Sequence, residues 1–247
     1  MHVLLIHQAF VSPTEAGGTR HYEFARYLVS KNHKFTVVAS NLSYLTGKSK
    51  ARFEPNRFVP EQNLKGLKVI RAYTWRSPQG SFIGRLISFL SFTITSFWKA
   101  LRVNGVDVVF GTSPPIFQAC SALLVAKLRR RPFLLEIRDL WPEFAIDMGI
   151  LTNPVLITMS RWLEQTLYKK ADHLLVNSPA YGDYLANKGV PSEKISCIPN
   201  GVDSSMFDPE ATGEAIRKRF GLDGKFVVTY AGALGPANDI VTLLNAA

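Results

Sequence analysis

The stretch Glu136-Ile137-Arg138-Asp139-Leu140-Trp141-Pro142-Glu143 crowds three carboxylates and a guanidinium into a few residues. Carboxylates can move protons and an arginine can steady developing negative charge, so these types together suit a site that transfers a group away from an anionic carrier. Glu136 alternates with Leu135 and Ile137 as a residue inside a strand would. A carboxylate buried there needs a partner, from Arg138 or from the cap of a neighbouring helix, and is either a structural ion pair or part of a site. Asp139 and Arg138 stand at the strand exit and are the candidate catalytic pair, with Glu143 lining the same cleft.

Three other stretches offer chemistry. A long loop from His7 ends in Gly17-Gly18-Thr19-Arg20-His21. Adjacent glycines let the backbone approach a ligand, and the first N–H groups of a following helix suit a phosphate or carboxylate, to which Arg20 and His21 would add charge. The alternative is a loop that needs positive φ before a helix. Because the glycines are adjacent, the G-x-G-x-x-G spacing of nicotinamide enzymes is missing. The second stretch, Phe110-Gly111-Thr112-Ser113-Pro114-Pro115, supplies the Thr112 and Ser113 hydroxyls, and the third, Asn177-Ser178, is similar; both equally fit ordinary helix capping.

These residues need a scaffold, and the chain alternates short apolar runs with helical periods. The runs at 3–6, 35–39, 68–71, 106–110, 133–137, 174–176 and 195–198 read as strands. Such alternation predicts an α/β fold, a Rossmann-like parallel sheet flanked by helices. A helix is expected over 19–30, with Tyr22, Ala25, Leu28 and Val29 on one stripe, and another over 82–102. Asn153-Pro154 and Ser178-Pro179 look like N-cap and first-turn pairs, the latter opening a helix at 180–188 that Gly189 ends. Residues 41–67, broken by Gly47, Pro55 and Pro60, read as a long loop above the carboxyl edge of the sheet. Pro199-Asn200-Gly201-Val202-Asp203 reads as a loop leaving the domain, and 226–232 as the opening strand of another. The expected organisation is a domain over 1–200, a linker over 201–224, and over 225–247 the first β-α piece of a truncated second Rossmann-like domain.

Composition narrows the function classes. With 47% apolar and 19% charged residues in 247, the chain is globular rather than disordered. A formal charge of +10 favours an anionic partner, but the basic residues lie in short scattered clusters such as Arg129-Arg130-Arg131 and Lys169-Lys170, so nucleic acid is not expected. Cys120 and Cys197 stand far apart, without the spacing of a disulfide framework or a zinc site. The start of the chain goes straight into a strand without a signal-peptide pattern, which makes a cytoplasmic location the expectation. The aromatic segment 81–98 has an uncharged run too short to span a bilayer. It is either a buried crossover helix or a helix whose outer face, between Arg85, Lys99 and Arg102, rests in an anionic membrane interface.

The opening strand with Gly17-Gly18-Thr19-Arg20-His21, the motif Arg138-Asp139-Leu140-Trp141-Pro142-Glu143 and the segment Ile198-Pro199-Asn200-Gly201-Val202-Asp203 together resemble the amino-terminal half of a family 4 glycosyltransferase. That family is retaining, with the two-domain GT-B architecture, and the second motif is similar to that of the subgroup building bacterial surface polysaccharides, including amino-sugar transferases. The resemblance implies a nucleotide-sugar donor and a lipid-linked sugar acceptor, with no metal and no other cofactor, and a place on the cytoplasmic face of the inner membrane. It implies that Gly17, Gly18, Thr19 and Arg20, with Gly232 and Gly235 of the second domain, lie near donor or acceptor phosphate. Asp139 and Arg138 would then work in a cleft lined by His21, Thr112, Ser113, Glu143, Asn177 and Asn200. Many members carry a His where Arg138 stands. The second domain normally supplies most donor contacts, so the isolated chain is expected to be nearly inactive. The rival readings are a non-catalytic membrane- or polyanion-binding module and a GT-B sugar-nucleotide epimerase.

Overall fold

The computed structural model describes residues 1–13, 15, 17–43, 65–77, 82–204, 207–232, 234 and 238–246. They form two compact units, Met1–Asn200 and Gly201–Ala247. The first contains β1 (His2–Ile6), α1 (Arg20–Ser30), β2 (Lys34–Ser40), β3 (Leu67–Ala72), α2 (Phe82–Ala100), β4 (Val108–Ser113) and α3 (Ile116–Arg129). It continues through β5 (Phe133–Ile137), α4 (Glu143–Asp147), α5 (Pro154–Lys170), β6 (His173–Val176), α6 (Pro179–Asn187) and β7 (Ile195–Cys197). All seven strands pair in parallel, in the order β3-β2-β1-β4-β5-β6-β7. The Rossmann-like sheet expected from the sequence is therefore present. Its order reverses between β1 and β4, and in open α/β sheets the crevice outside the strand ends at such a switch is where ligands bind.

Period-2 alternation sends side chains to two cores. Leu4, Ile6, Val109, Leu135 and Ile137 meet Phe92 of α2, Ala122 of α3 and Leu167 of α5, while Val3, Leu5, Phe110 and Leu175 meet Tyr22 and Ala25 of α1. Burying each of these large apolar side chains contributes roughly 1.5–3 kcal/mol. Glu136 shares its face of β5 with Leu134, which packs against the second of these cores, so it points to the side on which α1 packs.

Several boundaries differ from the sequence reading. β4 starts later than 106 and runs on through Gly111-Thr112-Ser113, which had read as a loop. Gly111 makes this possible, since a Cβ there would lie 2.8 Å from Ala122 Cβ and 3.0 Å from Phe133, so only glycine lets α3 pack on the strand. α2 stops at Ala100 rather than 102, and α6 takes in Pro179 and stops at Asn187. Asn153 caps α5 through the N–H groups of Val155 and Leu156, at 2.9 and 3.2 Å, whereas Ser178 makes no such bond to α6. Most of the expected loop at 41–67 lies outside the described residues. The second unit contains α7 (Glu214–Phe220) and α8 (Ile240–Ala246), but 226–230 form no strand. An extended segment needs a neighbour to take its N–H and C=O groups, and none pairs with it among the described residues; Phe226 is 94% exposed.

Candidate active site

Three segments meet at the carboxyl edge of the first unit's sheet, and a fully buried carboxylate joins them. Glu136 in β5 sits in register with Thr112 in β4, so the two side chains are neighbours on the α1 face. Glu136 Oε1 accepts from Arg20 Nε at 2.8 Å, and Oε2 accepts from His21 Nε2 at 2.6 Å and Thr112 Oγ1 at 2.9 Å. Arg138 Nε lies 3.5 Å from the same Oε2. Burial pushes the Glu136 carboxyl up, but the bonds from His21 and Arg20 and the charge of Arg138 outweigh it and hold the group down at about 2. Glu136 is thus ionised and compensated by donors from α1, β4 and the β5 exit.

The partners differ in what they can still do. Arg20 also donates to the carbonyls of Ile198 and Pro199 at 2.6 and 2.8 Å and to Asn200 Oδ1 at 3.4 Å, and its guanidinium lies 4.6 Å from the Phe24 ring centroid. It therefore ties the start of α1 to the chain that follows β7. His21 had read as a source of charge. Burial holds its imidazole below the ordinary value despite Glu136, with Arg138 and Arg20 adding to the effect, so at neutral pH it is a neutral donor to the carboxylate. Arg138 Nε donates to Thr112 Oγ1 at 3.0 Å, and its terminal nitrogen to the Pro114 carbonyl and His7 Nε2, each at 3.3 Å.

Beside this hub lies a cavity of about 440 Å3. One wall is the loop after β1, with His7, Val11, Gly17 and Gly18; a second is Pro114, Pro115, Ile116 and Phe117, where α3 begins. Arg138 and Trp141 close it from the β5 side and Phe89 from α2. Gly17 has φ +144, and a Cβ on Gly18 would meet nothing within 4 Å, so the two glycines shape the loop and leave room over it. Neither Thr19 nor Pro115 caps its helix with a side chain, so first-turn N–H groups of α1 and α3 have no side-chain acceptor from their caps.

Of the residues singled out from the sequence, Gly17, Gly18 and Arg138 line this cavity. Arg20, His21, Thr112 and Asn200 belong to the network behind it. Ser113 is buried and its carbonyl accepts from Arg138 N–H at 3.0 Å, and Asn177 Nδ2 reaches the Arg138 carbonyl at 3.5 Å. Thr19 begins α1. Asp139 is half-buried; burial raises its carboxyl, against the Leu140 N–H and the Arg138 charge, and it is not among the cavity-lining residues. Glu143 instead receives two bonds from Arg161, at 2.9 and 2.7 Å, which hold it below the usual carboxylate range. Gly232 belongs to the second unit and Gly235 lies outside the described residues. Among the described residues no three of His, Cys, Asp and Glu gather where a metal ion could sit.

Sequence reasoning passed over two residues. His7, at the end of β1, packs its ring 4.2 Å from that of His21 and accepts from Arg138. Gln118, on the first turn of α3, accepts from the Gln8 N–H at 2.7 Å and donates to the carbonyls of Thr112 and Pro114 at 2.8 and 3.1 Å. It fixes one cavity wall against the other. A buried glutamine three residues past a Pro-Pro pair carries no sequence signal of that role.

The comparisons with known proteins agree with this fold. The chain is 23% identical over 258 residues to WcaI of Escherichia coli (strain K12), named for colanic acid biosynthesis as a glycosyl transferase, with 99% of the chain and 62% of that relative aligned. It is 30% identical over 142 residues, 58% of the chain and 36% of the relative, to a GDP-mannose-dependent alpha-mannosyltransferase of Mycobacterium tuberculosis. Its fold resembles that of Anabaena Alr3699/HepE, solved in complex with UDP and glucose, with a TM-score of 0.62 at 18% identity, covering 100% of this chain and 57% of that one. The chain thus spans less than two thirds of the length of each of these proteins. The glycosyl transferase 4-like domain matches residues 16–201, from the glycine loop through the cavity walls to the chain beyond β7, and the chain belongs to that family.

Proposed function

We propose that this protein transfers a sugar from a nucleotide-sugar donor to a lipid-linked acceptor in polysaccharide or glycolipid synthesis. The cavity carries this reading: an arginine set into an otherwise largely apolar pocket, at the point where the strand order reverses. Arg138 suits a phosphate, while Phe89, Phe117, Trp141 and Val11 suit the first units of a lipid chain attached to it. Two named relatives act on sugars, and the Anabaena neighbour was solved with UDP and glucose, which supports a nucleotide-sugar donor.

In the transfer, the bond from the sugar's anomeric carbon to the donor diphosphate breaks, a bond to an acceptor oxygen forms, and the acceptor proton leaves. Arg138 and the open helix starts of α1 and α3 offset negative charge at the phosphates without needing to reorganise. Glu136 and Thr112 hold Arg138 for that work. Asp139, next to Arg138 at the exit of β5, is the proposed proton acceptor, for an acceptor hydroxyl held at the rim of the cavity and not within its lining. Most donor contacts are proposed to come from a domain of which residues 225–247 are only the beginning, so turnover by residues 1–247 alone would count against this arrangement. The reaction is proposed to take place at the cytoplasmic face of the inner membrane.

The test has two parts. Titrating the protein with a polyprenyl phosphate in detergent should change tryptophan emission saturably, a change that Trp141→Phe removes, and Arg138→Ala should weaken binding about tenfold or more, as expected for a lost charge-assisted bond. Unchanged affinity in the variant rejects the cavity as the phosphate site. With the full-length protein, radiolabel from a nucleotide sugar should enter the lipid phase; label released as free sugar would instead favour the epimerase reading.

A further inference from the structure

The α1 face of the sheet turns from apolar to polar within one pleat. Along β1 that face carries Val3 and Leu5 and then His7, along β4 Phe110 and then Thr112, and along β5 Leu134 and then Glu136. Leu5, Phe110 and Leu134 stand in register across the three strands, so the row after them is His7, Thr112 and Glu136. The His7 N–H carries the ladder on to the Val38 carbonyl at 3.0 Å, which keeps the residue in the sheet. His7 is 2% exposed, with its ring against that of His21. Arg138, one pleat beyond Glu136, reaches back across β4 to it.

The bond between them has one polarity. A guanidinium only donates, so His7 Nε2 accepts at 3.3 Å and the imidazole is uncharged in this arrangement. Arg138 is thus held from two sides by unlike groups. Its Nε faces Thr112 and the fully buried Glu136, behind the cavity, whereas its terminal nitrogen meets His7 and the Pro114 carbonyl, and both of those residues line the cavity. Among the described residues that line it, none is a carboxylate, and only His7 and Arg138 have ionisable side chains.

We propose that His7 is a positioning residue for the phosphate of the ligand, aiming the Arg138 guanidinium through a neutral acceptor so that its charge stays available to the cavity. A carboxylate in the same place would orient the arginine equally well but cancel its field where an anion has to bind. An apolar side chain would keep the field and deprive the guanidinium of an acceptor. An imidazole or an amide meets both requirements, so position 7 favours an anionic head group over an uncharged one. The proposal rests on the phosphate-lipid reading of the cavity given above.

Titration with polyprenyl phosphate in detergent tests it, with the parent polyprenol as the uncharged control. His7→Gln puts an amide oxygen near the place of Nε2 and should bind within about threefold of wild type, whereas His7→Leu, without an acceptor, should bind about fivefold more weakly. His7→Glu restores an acceptor and should nonetheless bind about tenfold or more weakly, with thermal melts showing it folded. A packing role does not produce that order, because Gln and Glu are nearly equal in size and would act alike. Equal binding by the Gln and Glu variants, or by His7→Leu and wild type, overturns the proposal and leaves the cavity as the phosphate site. Wild type that binds the phosphate no better than the polyprenol overturns the acceptor reading and this proposal with it. If His7→Glu does not fold, histidine nitrogen NMR on wild type at neutral pH decides: the His7 Nε2 resonance, assigned by its loss in His7→Gln, should be that of an unprotonated nitrogen, and a protonated Nε2 overturns the proposal.

Discussion

Glu136 and Glu164 are both fully buried carboxylates held by several donors, yet only one stands at a site. Glu164 accepts from Tyr168 and Tyr184 hydroxyls at 2.9 and 3.2 Å, on α5 and α6, and from Lys188 Nζ at 2.5 Å, at the cap just after α6. Glu136 draws its partners from α1, β4 and the β5 exit, and the chain it organises surrounds a cavity. Burial and several donors are common to both. What separates them is the sequence distance of the partners and the open space beside them: Glu164 closes a helical layer, whereas Glu136 sets the register of loops that could not otherwise hold an arginine facing a void.

The largest effect should come from removing each acceptor. Breaking a buried charged cluster by deleting one partner costs about 3–5 kcal/mol, so Glu136→Ala and Glu164→Ala should both lower the unfolding free energy in denaturant by that order. They should differ in rescue. Glu164→Gln with Lys188→Met removes both charges and keeps a carbonyl for the tyrosines, and should return to within about 2 kcal/mol of wild type. Glu136→Gln with Arg20→Met should not recover, because Arg138 loses its counter-charge and the Ile198 and Pro199 carbonyls lose their donor. Only the Glu136 variants should weaken polyprenyl-phosphate binding. Equal rescue of the two would break the distinction.

A smaller effect is pH dependence. Glu136 titrates at about 2 in the folded chain against 4.5 normally, so between these values the folded state binds fewer protons than the unfolded state. Its stabilisation is complete above the unfolded value and is lost as pH falls from about 5 to 2, an amount of about 3 kcal/mol. His21, also lowered, acts with the same sign and begins to lose stability as pH falls through 6.5. Denaturant unfolding at a series of pH values should show this decline in wild type, and the part below pH 5 should shrink in Glu136→Gln.

Much of this architecture is written in local pattern. Alternating apolar runs announced the parallel sheet, and Asn153-Pro154 announced the start of α5, because period and capping are properties of neighbours in the chain. Glu136 was legible as a buried carboxylate in need of a partner. That its main partners would be Arg20 and His21, more than a hundred residues away, was not, since only strand order brings the start of α1 over β5. For the same reason Arg20 read as added charge for a phosphate ligand, when its nitrogens meet Glu136 and the carbonyls after β7. Glu143 stood in the same motif as Asp139, but α4 carries it to Arg161 instead. The extent of β4 was hidden because Gly111 reads as a breaker unless α3 is known to press on it.

The smallest expected effect separates scaffold from site at two adjacent glycines. Gly17 holds φ +144 and its missing Cβ would lie 3.1 Å from Val11 Cγ1, so Gly17→Ala strains the backbone and should cost about 1 kcal/mol or more. Gly18 has no positive φ and open space where its Cβ would go, so Gly18→Ala should change stability by less than about 0.5 kcal/mol. That space is the cavity, and an added methyl there should still weaken phosphate-lipid binding a few-fold. Thermal melts and the tryptophan titration on the two variants measure both quantities. If Gly18→Ala binds as wild type does, the ligand does not pass over the glycine loop, and the apolar wall formed by Phe117 and Trp141 becomes the path to test next.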